Sequence, residues 1–96
     1  MRSFAILFHG QPDIQGEEAQ QAAFAAYMAW AKEHGVTSYP FKGRPVMHGP
    51  SEAAVDLSGY GIFEAVDLKA AEAIAAVCPH AQHRSVEVAE IMAMPA

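Results

Sequence analysis

Six residues near the start, Ser3-Phe4-Ala5-Ile6-Leu7-Phe8, constrain the fold more than any other stretch. Read as a strand, the run puts Phe4, Ile6 and Phe8 on one face and Ala5 and Leu7 on the other. Both faces are apolar, so both are expected to be covered. His9-Gly10-Gln11-Pro12-Asp13 then breaks the strand.

The elements that follow say what the cover is. Glu17 to His34 reads as a helix, with Glu17 and Glu18 at the positive end of its dipole and Gly35 just past its other end. Phe24, Tyr27, Met28 and Ala31 recur at helical spacing and are expected to form its core stripe, with Trp30 on the flank. Val36–Phe41 and Pro45–His48 read as short strands about a Lys42-Gly43-Arg44 turn. Tyr60–Val66 is a stronger strand. Asp67 caps a second helix whose stripe is Leu68, Ala71, Ile74, Ala75 and Cys78, and Pro79 stops it. His80–Arg84 is expected as a loop and Ser85–Met92 as the last strand.

This order predicts one α+β domain over residues 1–96, the ferredoxin-like βαββαβ arrangement of an antiparallel sheet with two helices on one face. The helices leave the other face open, although the first strand is apolar on both. A second sheet packed there, as in a dimeric α/β barrel, resolves the conflict, so a homodimer through the sheet faces is expected.

Charge narrows the function. A net charge of −5 with only six scattered Lys and Arg gives no basic stripe for nucleic acid. No run approaches the roughly 20 apolar residues of a membrane span, and no signal peptide is evident. The single Cys78 excludes an internal disulfide, and a cytoplasmic protein is expected.

The candidate chemistry is sparse. Cys78-Pro79-His80-Ala81-Gln82-His83 holds one thiol and two imidazoles, but a zinc site needs further ligands and Cys78 fits the helix stripe, so no metal or other cofactor is expected. Asp13, Asp56, Glu64, Glu87 and Glu90 are spread over different elements, with no spacing that selects a catalytic pair. No nucleophile elbow and no phosphate-cradling glycine loop is present. Tyr27 and Trp30, one turn apart, are candidates to wall a small-molecule groove as well as candidates for the core. His48, before the Gly49-Pro50 turn, is the histidine placed most like a site residue.

From Gly59-Tyr60-Gly61-Ile62-Phe63-Glu64-Ala65-Val66-Asp67-Leu68, through Ala71, Ala73, Ala75 and Cys78-Pro79, to Ser85-Val86-Glu87-Val88, the chain resembles the YCII-related family in its DGPF branch. Ala26-Tyr27-Met28-Ala29-Trp30 before Glu33-His34-Gly35 is similar to that family's first helix. The resemblance implies a ferredoxin-like domain that dimerises through its sheets, with a cleft beside the sheet. It also implies an acid–base site in some relatives, where a His–Asp pair is proposed, and elimination on a chlorinated aromatic ring in one branch. Here His48 stands where the DGPF branch has the Asp of its Asp-Gly-Pro-Phe loop and Ser51 where it has Phe. Phe24 stands at the helix position of the pair's His, and Ala89 replaces the basic residue after Val-Glu-Val.

Three readings follow. In the first, His48 is a general acid or base, helped by Asp56 or Glu64, in a cleft where Tyr27, Trp30, Ser51 and His9 bind the ligand. The reaction would be of lyase or isomerase type on a small cyclic or aromatic compound. In the second, the fold is kept as a non-catalytic binding or regulatory module, by analogy with relatives that occur beside sigma factors. In the third, His48 only packs at the turn or the dimer rim.

Overall fold

The computed structural model describes residues 1–50 and 56–93. Its centre is β1 (Arg2–His9), the two-faced strand, flanked on both sides in a four-stranded sheet of order β2-β3-β1-β4. Every pairing is antiparallel. β3 (Leu57–Ala65) lies on one side of β1 and β4 (Val86–Glu90) on the other, with β2 (Thr37–Pro40) at the edge beyond β3. Helices α1 (Glu17–His34) and α2 (Leu68–Ala76) cover one face. The sequence therefore specifies the ferredoxin-like βαββαβ order correctly.

Register explains which residues meet the helices. Phe4 faces Phe63 across the β1–β3 ladder, with ring centroids 6.0 Å apart. Ile6 faces Gly61 and Val88, and Phe8 faces Gly59 and Val86. This face and the helices bury Phe4, Ile6, Phe8, Phe63, Ala65, Ala71, Ala75 and Cys78 together. Gly61 has no room for a side chain, because a Cβ would lie 2.8 Å from Val36 Cγ1. At Gly59 the obstacle is backbone, with the Tyr39 carbonyl oxygen 2.9 Å away.

Chain ends follow local chemistry. Gly35 closes α1 in the left-handed region at φ 66°, which costs glycine nothing. Asp67 caps α2 by accepting the Ala70 N–H at 2.8 Å. Past Val77 the chain does not become a plain loop: Pro79–Gln82 forms a 3-10 turn that folds back toward the end of β1.

Three expectations are corrected. Pro45–His48 is not a strand; Pro40 and Pro45 flank the turn and each lacks the N–H a hairpin ladder would use. The stripe of α1 is rotated: Phe24 is 67 % and Met28 50 % exposed, whereas Trp30 is 5 % exposed and packs with Ala31 in the core. On α2, Leu68 is likewise exposed, and the buried stripe runs through Ala71 and Ala75 to Cys78.

The second face of the sheet carries no helix. One row across it reads Tyr39, Tyr60, Leu7 and Glu87, and the next Thr37, Ile62, Ala5 and Ala89. Tyr39 and Tyr60 stack with centroids 5.0 Å apart. The face expected to need cover is thus apolar across its middle and bare in the protomer.

Candidate functional site

The structure opens a cleft between α1 and the β2–β3 edge, on the helix side of the sheet, with a volume of about 420 Å3. Its walls are mainly apolar, including Phe8, Phe24, Tyr27, Met28 and Pro40. That size and character match small-molecule sites, which run to roughly 300–1,000 Å3. The rotated α1 stripe is what lines it: Phe24 and Met28, freed from the core, form its outer wall.

Few polar groups reach this space. The Tyr27 hydroxyl bonds the Ser38 hydroxyl of β2. Burial pushes the Tyr27 phenol above its ordinary value; the Ser38 bond partly offsets this, and the nearby Cys78 raises it further. Tyr27 is therefore a protonated hydrogen-bond donor at neutral pH. Ser58 Oγ donates to the Phe8 carbonyl at 3.2 Å.

His80 lies opposite, on the 3-10 turn, with its ring edge-on to Phe8 at 5.4 Å. Its Nε2 is 2.9 Å from the carbonyl oxygen of His9. A carbonyl can only accept, so Nε2 carries the proton, and the neutral ring keeps its lone pair on Nδ1. The backbone of β1 thus selects the tautomer. His80 and Tyr27 also border a second, continuous recess of about 670 Å3 toward Pro12 and Ile14.

The residues singled out from the sequence fall in different places. Tyr27 lines the cleft. Trp30 lies behind it, between Tyr27 and His34, and its indole Nε1 donates to the Ile74 carbonyl at 3.0 Å. His9 turns to the bare sheet face, where its Nε2 pairs with the Glu87 carboxylate. His48 is exposed on the irregular stretch after Arg44 and does not line the cleft. Ser51 lies outside the described residues. Of the two carboxylates considered as helpers, Asp56 pairs with Arg44 and Arg84, and Glu64 is exposed in β3.

His80 is the residue that sequence reasoning passed over as part of a loop. Only its proximity to Pro79, which forces the chain to turn, hinted that it would be held in place. Cys78 is fully buried, and burial raises its pKa against the lowering effect of the His80 and Ala81 N–H groups. It is therefore a thiol at neutral pH and a poor nucleophile. Among the described residues, no three His, Cys, Asp or Glu side chains stand close enough to hold a metal ion. No helix among them is long and apolar enough to cross a membrane.

An antiparallel four-stranded sheet with two helices on one face and a ligand-sized cleft under the first helix defines the class: an α+β domain of ferredoxin-like fold. The YCII-related domain matches residues 2–95, and the chain belongs to that family. Among solved structures it is similar to 5-chloro-2-hydroxyhydroquinone dehydrochlorinase (TftG) from Burkholderia phenoliruptrix AC1100, in complex with 2,5-dihydroxybenzoquinone. The TM-score is 0.58 at 15% identity, over 94% of this chain and 93% of that one. No curated protein matches in sequence.

Proposed function

We propose that the protein binds a small cyclic or aromatic compound in the α1 cleft and acts on it by acid–base chemistry, as a lyase or isomerase. The carrying observation is that the His80 imidazole and the Tyr27 hydroxyl, from distant segments, border one apolar cleft of ligand size. A base at His80 Nδ1 would take a proton from carbon beside a carbonyl. The electron pair then moves onto the carbonyl oxygen, which the protonated Tyr27 hydroxyl is suited to hold. The imidazolium returns the proton elsewhere in an isomerisation, or a leaving group departs in an elimination. The similar dehydrochlorinase holds a dihydroxylated quinone, a ligand of the same general shape.

The proposal includes a homodimer through the bare sheet face. Leu7, Ile62, Ala5 and the Tyr39–Tyr60 stack would meet their copies there, which gives β1 the second cover its sequence calls for. His48, Ser51 and His9 enter this reading as residues to be tested in the assembled dimer.

The second reading is a non-catalytic binding module. Its supporting observation is that His80 Nε2 rests on a backbone carbonyl, while the His9–Glu87 imidazole–carboxylate pair lies on the opposite face of the sheet. Turnover of cyclic ketones, lactones and halophenols by wild type, His80→Ala and His48→Ala separates the readings. The proposal expects His80→Ala to abolish turnover and His48→Ala to keep it. The reverse result moves catalysis to the His48 loop. Binding without turnover in any variant establishes the module.

A further inference from the structure

Three of the chain's six lysines and arginines, Lys42, Arg44 and Arg84, gather near one carboxylate at the mouth of the cleft. Asp56 holds Arg44 Nη2 at 3.2 Å through one oxygen and Arg84 Nη2 at 3.4 Å through the other. Lys42 borders the same recess, whose volume is about 200 Å3. Among the described residues, Lys42, Arg44 and Arg84 set three positive charges about the Asp56 carboxylate, in a chain whose net charge is −5.

The arrangement is built into the fold. The Gly10 N–H donates to the Asp56 carbonyl at 2.6 Å, which ties the end of β1 to the start of β3. Gly10 is in the left-handed region at φ 68°, and a Cβ there would run into the Arg84 guanidinium. Only glycine lets that guanidinium lie against the backbone. The recess shares Gln11 and Ser58 with the cleft, and the Phe41 N–H donates to the Ser58 carbonyl at 2.9 Å where the two spaces join.

We propose that this recess is an anion subsite of the cleft. It takes the carboxylate of a small cyclic or aromatic acid whose ring fills the apolar space beside Tyr27. The proposal rests on the small-molecule reading above and names the class of ligand. Arg44 commits one terminal nitrogen to Asp56 and, among the described residues, keeps further N–H donors in the planar fork that suits a carboxylate. Lys42 adds a second charge with no geometric demand. In a protein that is negative overall, a positive mouth also sets which end of an acid enters first.

The test is a titration of the 15N-labelled protein with 4-hydroxybenzoate and with its neutral counterpart 4-hydroxybenzamide, followed by amide shifts. Wild type is compared with the doubly substituted Lys42→Gln, Arg44→Gln protein, whose changes are on the surface and leave Asp56 paired with Arg84. The expected result is that the acid binds about tenfold more tightly than the amide, a difference of the size one charged pairing supplies. Gln11 and Ser58 should shift along with Tyr27 and His80, and the double substitution should erase the preference. Equal binding of acid and amide by wild type overturns the subsite and leaves the cleft reading standing. A preference that survives the double substitution also overturns it. Failure of both compounds to move Tyr27 or His80 overturns the cleft reading, and the subsite with it. Tighter binding of 4-hydroxyphenyl phosphate than of the acid overturns the carboxylate assignment in favour of phosphate esters.

Discussion

Replacing Trp30 with Phe tests whether that residue is structural or part of the ligand site. The indole is 5 % exposed, and its Nε1–H satisfies the carbonyl of Ile74 at 3.0 Å. That carbonyl sits in the last turn of α2, where no intrahelical N–H reaches it, because the Cys78 N–H bonds Ala75 instead. Phenylalanine keeps an aromatic ring but leaves the carbonyl unpaired, at a cost of about 1–3 kcal/mol. The smaller ring adds about 1 kcal/mol of lost packing between Tyr27 and His34. The sum, about 2–4 kcal/mol, is a large share of the roughly 5–15 kcal/mol that holds a domain together. With about 4–8 °C per kcal/mol for a chain of this size, Tm should fall by at least about 8 °C. Circular dichroism at 222 nm, at matched protein concentration, reads it without the indole. A change below about 0.5 kcal/mol, the scale of an ordinary surface substitution, would refute the reasoning and return Trp30 to the ligand site.

Three further outcomes follow from the same geometry. Tyr27 has its pKa raised by burial, so the folded state holds that proton more tightly than the unfolded chain; its contribution is complete below about pH 10, the ordinary value of a tyrosine phenol, and is lost as pH rises through the folded value. Tyr27→Phe should therefore flatten the fall of Tm above pH 10 relative to wild type; parallel curves would contradict the burial argument. Asp67→Ala removes the α2 cap and should cost about 1 kcal/mol in urea unfolding, whereas an unchanged midpoint would mean the Ala70 N–H finds another partner. Leu7→Glu places a carboxylate in the middle of the bare face and should convert a dimer to a folded monomer in sedimentation; an unchanged sedimentation coefficient would refute pairing through that face.

How far the sequence could be read differs from element to element. The predicted limits of α1 match because they rest on local signals: acidic residues at its start and Gly35 at its end. Asp67 was legible for the same reason. The rotation of α1 was not, because the helix is rich in alanine and offers apolar residues on several faces. Which of them turns inward depends on the partner surface, and the Ile74 carbonyl with the Gly61 gap selects Trp30, Ala31 and Val36 over Phe24 and Met28. Pro45–His48 forms no strand, because periodicity in four residues carries little information against two prolines.

The sequence alone determined that β1 is apolar on both faces and that the elements follow a βαββαβ order. These follow from alternation, capping and composition, which act over a few residues. Tertiary structure alone decided the cleft. It brought His80 to within 2.9 Å of the His9 carbonyl across 71 positions of chain and set Asp56 between Arg44 and Arg84. Such meetings depend on strand order and register, and no local pattern encodes which distant backbone a side chain will reach.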